Sequence, residues 1–443
     1  MHVHAESPRS QEGTTLITSL AVGLVLGITL AGYLSWARTQ HVLVAESQAW
    51  NIALAHAEAG IEEGLAQINV TFGTNYLDSA RTNWGWSSGR GFYGPRANLF
   101  LDGSYSAIII PTNPGPTIIS TGYAMVPIVG RKIARTVMVH TKSEPAFQYG
   151  ISVVQNVSMN GNNVMVDSYN STDPAHNTGG VYDPLKRMAG GDVVSTDGFI
   201  NVGGANIYGH VRTAPWGTLS AGQGNGRVGD LETNWPARSG IETNWYSNDL
   251  NLDFPDVGEP FNPATGFSPM FYSASNTFLL GNGDYVISGN LTLQNGQTLY
   301  AAGNARLWVQ GNVDGHSGNP GSYIGVATNG SIAMYVGTIT GQVVSAAFYN
   351  VNSHGNATNF NYYGLPSNKS MTWGGNDSYV GTVYAPEAAL TLTGGGTTRT
   401  NDFQGSCVAS SLTMGGHFNF HFDENLKASG PQMGYLVSSW QEL

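Results

Sequence analysis

Residues 13–37 contain no charged side chain, and this apolar run constrains the fold more than any other feature of the chain. As a helix rising about 1.5 Å per residue, it is long enough to cross a hydrocarbon layer of about 30 Å. Apolar residues then recur at helical spacing as far as Asn69, whereas acidic residues such as Glu46 and Glu58 lie off that stripe. The pattern predicts one helix of about 55 residues, with a membrane-spanning half and an amphipathic half that packs on another domain.

Two simpler interpretations account for the first half of this helix only. A signal anchor needs no more than the apolar run, and a cleaved secretory peptide needs a basic start and a cleavage site with small residues. The best candidate for such a site is Ser35-Trp36-Ala37. Neither interpretation explains the amphipathic continuation.

The composition excludes several classes of protein. The chain has 443 residues, including 59 Gly, 18 basic and 29 acidic side chains, and its formal charge is −11. Binding of nucleic acid needs clustered Lys and Arg, so nucleic acid is excluded as a partner. The single cysteine, Cys407, excludes a disulfide framework and a Cys-based zinc site, and its apolar surroundings predict burial. No cofactor is expected.

Residues 70–143 contain three strand-like runs rich in Ile, Val, Thr and Tyr: LFLDGSYSAIIIP, PTIISTGYAMVP and RKIARTVMVHTK. They predict a small antiparallel sheet that covers the amphipathic half of the helix. From about residue 144 the chain is rich in Gly, Asn, Ser and Thr, and its short apolar patches alternate with small polar residues. This pattern predicts a parallel β-solenoid, with a β-sandwich as the alternative. The predicted fold class is mainly β with one long N-terminal helix.

The start of the chain resembles the N-terminus of type IV prepilins and pseudopilins. In the leader MHVHAESPRSQEG, Gly13 is followed by Thr14 and the apolar helix, and the stretch AHAEAGIEEGL (55–65) is similar to minor pilins of the PilX type. The resemblance implies that a prepilin peptidase cleaves between Gly13 and Thr14 and methylates the new amine. It also implies a precursor in the bacterial inner membrane and a mature protein that joins other pilin-like subunits in a pilus or at the cell surface.

Two positions depart from the family pattern. Thr14 stands where an aromatic residue or Met is usual, and Thr18 stands where the family has a Glu that neutralises the N-terminal amine of the neighbouring subunit. An unpaired charge in an apolar filament core is costly, so most subunits need that Glu. A subunit at the filament tip has no neighbour above it. Thr18 therefore fits a tip or initiating minor pilin.

A second resemblance covers the end of the chain. The run from FNYYGLP to HFDENL (360–426) is similar to the carboxyl-terminal domain of many PilX-type pilins, and VMVDSY (164–169) is similar to the opening rung of that domain. The predicted domains are a leader (1–13), the membrane and spine helix (14–69), a small pilin-like β subdomain (70–143), the solenoid (144–430) with an insertion (213–282), and a tail (431–443).

The insertion carries the candidate adhesive residues, which are large rings set among Pro and Gly: Trp216, Trp235, Trp245, Tyr246, Phe271 and Tyr272. For most rings of this segment, packing on the flank of the solenoid is the favoured alternative. An exposed subset is expected to bind a surface glycan or protein.

The sequence contains no cluster of residues typical of an active site. Solenoids that cleave glycans need clustered carboxylates, usually with a basic residue. His417 and His421 would lie about 13 Å apart on one strand, too far to share a metal ion. Turn capping explains the isolated acids, which are Asp192, Asp197, Asp377, Asp402 and Asp423.

The chain is therefore predicted to be a non-enzymatic component of a type IV pilus or type II secretion-like filament, at the filament tip, with a solenoid that serves adhesion. The alternative is a membrane-anchored, glycan-active β-helix enzyme at the cell surface.

Overall fold

The computed structural model describes twelve segments, with side chains from residue 15 onward: 11–69, 83–87, 89–127, 129–160, 164–221, 226–232, 240–316, 321–374, 378–393, 403–416, 418–429 and 432–443. The described residues fall into two compact units. The first lies within Met1–Ile68, Leu77–Lys142 and Leu436–Leu443, and the second within Asn69–Tyr76 and Ser143–Tyr435.

The first unit consists of helix α1 (Gln11–Ile68) and an antiparallel sheet. The apolar side chains from Leu16 to Trp36 are exposed, and this half of α1 is long and apolar enough to cross a membrane. The sheet strands follow in spatial order: β1 (Trp86–Ser87), β2 (Phe92–Leu99), β3 (Gly103–Ile110), β4 (Thr117–Met125), β5 (Lys132–Pro145) and the final strand of the chain (Gln432–Glu442).

Small side chains let the second half of α1 approach the sheet closely. Ala49, Ala53 and Ala57 are completely or almost completely buried in this contact. On the opposing strand β4, a Cβ atom at Gly122 would lie only 2.0 Å from the carbonyl oxygen of Ala53. The helical stripe predicted from the sequence is therefore the packing face of α1.

Among its described residues, the second unit contains 27 strands, most of them short. Those before the connection 248–269 are β6 (Ile151–Val153), β7 (Val157–Asn160), β8 (Met165–Tyr169), β9 (Val193–Ser195), β10 (Phe199–Asn201), β11 (Asn206–Tyr208), β12 (Val211–Thr213), β13 (Thr218–Ser220), β14 (Arg227–Gly229), β15 (Gly240–Ile241) and β16 (Tyr246–Ser247).

The strands after that connection are β17 (Met270–Tyr272), β18 (Thr277–Leu280), β19 (Gly283–Ile287), β20 (Leu291–Thr292), β21 (Thr298–Ala301), β22 (Asn304–Val309), β23 (Val313–Asp314), β24 (Tyr323–Val326), β25 (Ser331–Val336), β26 (Val344–Phe348), β27 (Val351–Asn352), β28 (Phe360–Gly364), β29 (Asn368–Trp373), β30 (Tyr379–Leu392), β31 (Phe403–Gly415) and β32 (Asn419–Asp423). Short helices lie at Pro174–His176, Pro263–Thr265, Ala357–Asn359 and α2 (Leu426–Ser429).

Almost every strand of this unit pairs in parallel with the strand three positions along the chain, so that three strands make one coil. The strands form three stacks. Stack A runs from β16 through β12, β9, β6, β31, β30, β28, β25 and β22 to β19. Stack B runs from β13 to β20, and stack C from β15 to β18 with β17 added antiparallel. The predicted parallel β-solenoid is confirmed.

The coils are not stacked in the order of the sequence. The chain enters at β6, in the middle of stack A, and builds coils outward to β16 at one end. It then resumes at the opposite end and builds back toward the middle, where β31 pairs with β6 and β32 pairs with β8. The first and last coils therefore meet at a seam, which is defined by the pairs β31–β6 and β32–β8.

A connection that we call the strap (248–262) links the two ends along the outside of stack A. Its contacts advance along the stack: the amide of Leu250 donates to Thr213, the carbonyl of Pro255 accepts from Tyr384, and the ring of Phe261 lies edge-on to Trp308. Beneath it lies a row of rings on adjacent strands, Trp308, Tyr335, Tyr363 and Tyr384, all at most 7% exposed. The strap therefore seals an apolar flank of the solenoid.

Candidate functional site

The predicted processing site lies at the start of α1. Gly13 and Thr14 fall within the first turn of the helix, and their side chains lie outside the described residues. Thr18 is exposed, and its hydroxyl donates to the carbonyl of Thr15 at 3.1 Å. Position 18 therefore presents an uncharged side chain that is hydrogen-bonded within its own helix.

The AEAG stretch of α1 serves helix packing. Ala57 is fully buried, and a Cβ atom at Gly60 would lie 2.2 Å from the hydroxyl oxygen of Ser120. The adjacent His56 stacks on Phe100 at 4.8 Å between ring centroids. Its Nε2 atom lies 3.1 Å from a carboxylate oxygen of Asp102.

The structure separates the candidate adhesive residues into two groups. Trp216 follows β12 and Trp245 precedes β16, so both lie toward one end of the solenoid. Phe271 and Tyr272 lie on β17, at the other end. Nine steps of stack A lie between β16 and β19, which is about 43 Å at the usual strand spacing of about 4.8 Å.

In the first group, only Trp216 presents most of its ring to solvent. It is 68% exposed, and its indole N–H donates to Asp197 at 2.8 Å. Trp245 packs partly against the core and stacks on His210 at 4.3 Å. The hydroxyl of Tyr246 lies 3.1 Å from that of Thr213. Trp216 is therefore the ring of this group that solvent reaches, and its indole nitrogen is hydrogen-bonded to the solenoid.

The second group is an exposed apolar edge, which we call the β17 edge (Phe267–Tyr272). Phe267 is 66% exposed and Met270 is 61% exposed, while Phe271 and Tyr272 are slightly more than 40% exposed. Phe271 packs on Phe278 of β18 with ring centroids 4.7 Å apart. Within the described residues, β17 pairs with β18 only, so its outer backbone edge is open.

Other aromatic residues of the predicted insertion have a structural role. Phe254 and Phe261 both belong to the strap: Phe254 is 8% exposed, and Phe261 packs on Trp308. The guanidinium of Arg306 lies 5.2 Å from the ring of Phe261, and it also donates to the carbonyl of Pro260. Trp235 lies outside the described residues.

A buried polar cluster at the seam was not predicted as a unit. A nitrogen of His421 on β32 lies 2.6 Å from one carboxylate oxygen of Asp167 on β8. The hydroxyl of Tyr182 donates to the other oxygen at 2.6 Å, and its ring stacks on His421 at 3.6 Å. Burial, followed by the nearby Asp167 carboxylate, raises the pKa of Tyr182 far above its usual range. Both Asp167 and His421 are fully buried, so the cluster joins the coils and has no open path to a substrate.

Among the described residues, the candidate acids Asp192 and Asp423 accept hydrogen bonds from separate backbone amides. Asp192 accepts from the backbone amide of His210 at 2.7 Å, and burial raises its pKa. Asp423 accepts from the amides of Ser171 and Asn425, and burial raises its pKa as well. Among the described residues, no group of three or more His, Cys, Asp or Glu side chains could hold a metal ion. Three candidates lie outside the described residues: Asp377, Asp402 and His417.

Comparisons with known proteins cover different parts of the chain. Residues 264–429 match a sequence family described as a domain of unknown function, DUF7305. Among curated proteins, none matches the chain. A competence-associated pilin, ComZ from Thermus thermophilus, is similar over 89% of this chain and 97% of its own, with 11% sequence identity and a TM-score of 0.30. That score is too low to establish a shared fold.

Proposed function

We propose that this chain is a minor pilin-like component of a type IV pilus or type II secretion-like filament and displays its solenoid for adhesion. The observation that carries the proposal is the unbroken helix α1. Its first half is apolar and exposed, whereas its second half packs on an antiparallel sheet through small residues. This arrangement suits a subunit that is first anchored in a membrane and then joined to other subunits through the same helix.

Cleavage after Gly13 is the first step that this function requires. The mature chain should begin at N-methylated Thr14, as measured by mass spectrometry of the purified protein. Gly13→Ala should leave the longer precursor in the membrane. Gly23→Ala is the matched control, because a Cβ atom at Gly23 would meet nothing within 4 Å. A mature terminus at Arg38 would show ordinary signal-peptide cleavage and refute the proposal.

The proposed place in the assembly is the filament tip. Thr18 has no charge to offer the amine of a neighbouring subunit, and a large solenoid would crowd a helical shaft. Gold-labelled antibody against the solenoid should mark filament ends. Labelling along the whole filament would contradict the tip assignment while leaving the processing result valid.

Adhesion is proposed to use Trp216 or the β17 edge, since these are the exposed rings of the two candidate groups. Attachment of cells to immobilised neutral polysaccharides should fall at least several-fold for Trp216→Ala or for the double substitution Phe271→Ala and Tyr272→Ala. Leu185→Ala is the control, because Leu185 is 93% exposed on the solenoid but belongs to neither group. Unchanged attachment for both variants would refute the adhesive assignment.

We also propose that the solenoid is not an enzyme. Among the described candidate acids, Asp192 and Asp423 accept backbone N–H bonds and Asp197 accepts from Trp216, while Asp167 lies in the closed seam cluster. Purified protein should release no reducing sugar from the same polysaccharides. Sugar release that is lost on Asp377→Ala or Asp402→Ala would establish the alternative, a membrane-anchored glycan-active enzyme.

A further inference from the structure

The turn between β4 and β5 (Val126–Arg131) lies beside α1, just beyond the apolar half of that helix. Val126 is buried in one cluster with Ala45, and Arg131 forms an ion pair with Glu46 at 2.9 Å. Ala45 lies eight residues after Ala37, which ends the uncharged run. At about 1.5 Å per residue, the base of the turn is therefore about 12 Å beyond the apolar segment.

The turn points toward the apolar segment. Along β4, Gly122 lies against Ala53 of the helix, whereas Val126 lies against Ala45, so the strand descends toward the helix N-terminus. Pro127 and Val129, the exposed residues that follow Val126, can lie up to about 6 Å further in this direction, given about 3.3 Å per extended residue. The polar layer of a bilayer extends roughly 5–8 Å beyond the hydrocarbon on each side, so these two residues are within its range when α1 spans a membrane.

The side chains at this level combine apolar and basic groups. Met125 is 52% and Val129 is 51% exposed, and on α1 Leu43 is 53% exposed. Arg38, Arg131 and Lys132 are all exposed at the same end of the unit. By contrast, the turn at the opposite end of the sheet, between β3 and β4, exposes Thr112 and Asn113.

A cleft of about 550 Å³ lies between α1 and β5 beside this turn. Leu43, Trp50 and Ile133 supply apolar walls, and Arg131 and Lys132 lie at its rim. Basic side chains at this height attract anionic headgroups.

We propose that the described turn residues Val126, Pro127 and Val129–Arg131, together with residues 38–43 of α1, dock on the headgroup layer of the membrane that α1 spans and prefer anionic phospholipid. The membrane is the partner that the geometry favours because the surface is continuous with the spanning segment. The inference requires a membrane-spanning α1, and it is independent of filament assembly and adhesion.

The test uses the full chain in nanodiscs of phosphatidylcholine, with or without phosphatidylglycerol. Val129→Cys carries an environment-sensitive NBD label. Ala66→Cys is the matched control, exposed on α1 about 44 Å beyond Ala37 at about 1.5 Å per residue. The native Cys407 is fully buried, and burial raises its thiol pKa, so labelling of the introduced cysteine is selective.

The Val129 label should show blue-shifted emission, several-fold weaker quenching by iodide than the control, and quenching by doxyl-labelled lipid. Quenching by doxyl-labelled lipid should increase when the discs contain phosphatidylglycerol. This increase should disappear in Lys132→Gln. It should persist in Arg90→Gln, the control, because Arg90 is an exposed cation in the β1–β2 turn at the distal end of the sheet. A label at Met125→Cys gives the same measurement if Val129→Cys does not fold.

Equal iodide quenching at residues 129 and 66 in both kinds of disc would overturn the proposal. The proposal would also be overturned if the blue shift appeared only in discs that hold two protein copies and if doxyl-labelled lipid did not quench the label. In that case a second chain, and not the membrane, would cover the turn.

Discussion

Replacing Asp167 with Ala should destabilise the solenoid at its seam. The carboxylate lies on β8 of the first coil and accepts hydrogen bonds from Tyr182 at 2.6 Å and from His421 of the last coil at 2.6 Å. The variant would leave the Tyr182 hydroxyl and the His421 ring nitrogen without this acceptor. Since all three side chains are buried, water does not readily replace the lost partner.

The expected cost follows from the two lost bonds. A buried hydrogen bond to a charged group contributes about 1.5–3 kcal/mol, so the free energy of unfolding should fall by about 3–5 kcal/mol after some relaxation. For a domain of this size, such a loss lowers the midpoint of thermal unfolding by roughly 6–20 °C. The assay is circular dichroism of the full chain in detergent, at a wavelength dominated by strand.

The matched control is Asp183→Ala, next to Tyr182 in the connection between β8 and β9. Asp183 also accepts two hydrogen bonds, from Thr178 at 2.6 Å and from the amide of Leu185 at 2.9 Å, but it is open to solvent. Water can replace both bonds, so the midpoint should change little. Two results would refute this explanation: an equal loss of stability in the two variants, or a loss below about 1 kcal/mol in Asp167→Ala. Either would show that burial does not determine how much these hydrogen bonds contribute to the free energy of unfolding.

Two further results are expected. Burial raises the pKa of Asp423, so the folded chain holds that proton more tightly than the unfolded chain, and stability should rise as the pH falls through the raised pKa toward the usual value of 3.8. Asp423→Asn should lack this component, so the stability of the wild type relative to the variant should rise as the pH falls through that range. A difference between the two proteins that does not change with pH would contradict it. Gly122→Val should push β4 away from α1 at a cost of about 1–3 kcal/mol or more. Trypsin should then cleave after Arg131 faster, whereas Gly89→Val, with nothing within 4 Å of a Cβ atom, should be cleaved as the wild type is.

Local patterns allowed the helix and the strands to be predicted. The spacing of Ala45, Ala49 and Ala57 marks the buried face of α1, because helical periodicity is a property of neighbouring residues. Alternation in patches such as 298–301 and 344–348 similarly marks solenoid strands. The signal for each element lies within the element itself.

The stacking order could not be predicted in the same way. Short strands such as Ile151–Val153 and Val193–Ser195 have nearly the same pattern, so nothing local specifies which strand lies on which. The seam cluster depends on that order, since His421 and Asp167 are 254 residues apart in the chain. The residue type also does not predict that Trp216 is exposed and Phe254 is buried, because the path of the strap decides which ring is covered.

The seam has a consequence for synthesis of the chain. The edge of β6 that later receives β31 has no partner when β6 leaves the ribosome, because that partner is made more than 250 residues later. At about 5–20 residues per second, this delay is roughly 13–50 s. An open strand edge is a template for pairing with other chains during that interval. Maturation of this protein therefore includes a period in which a chaperone that shields strand edges would raise the yield, and the period ends only when the last coil closes on the first.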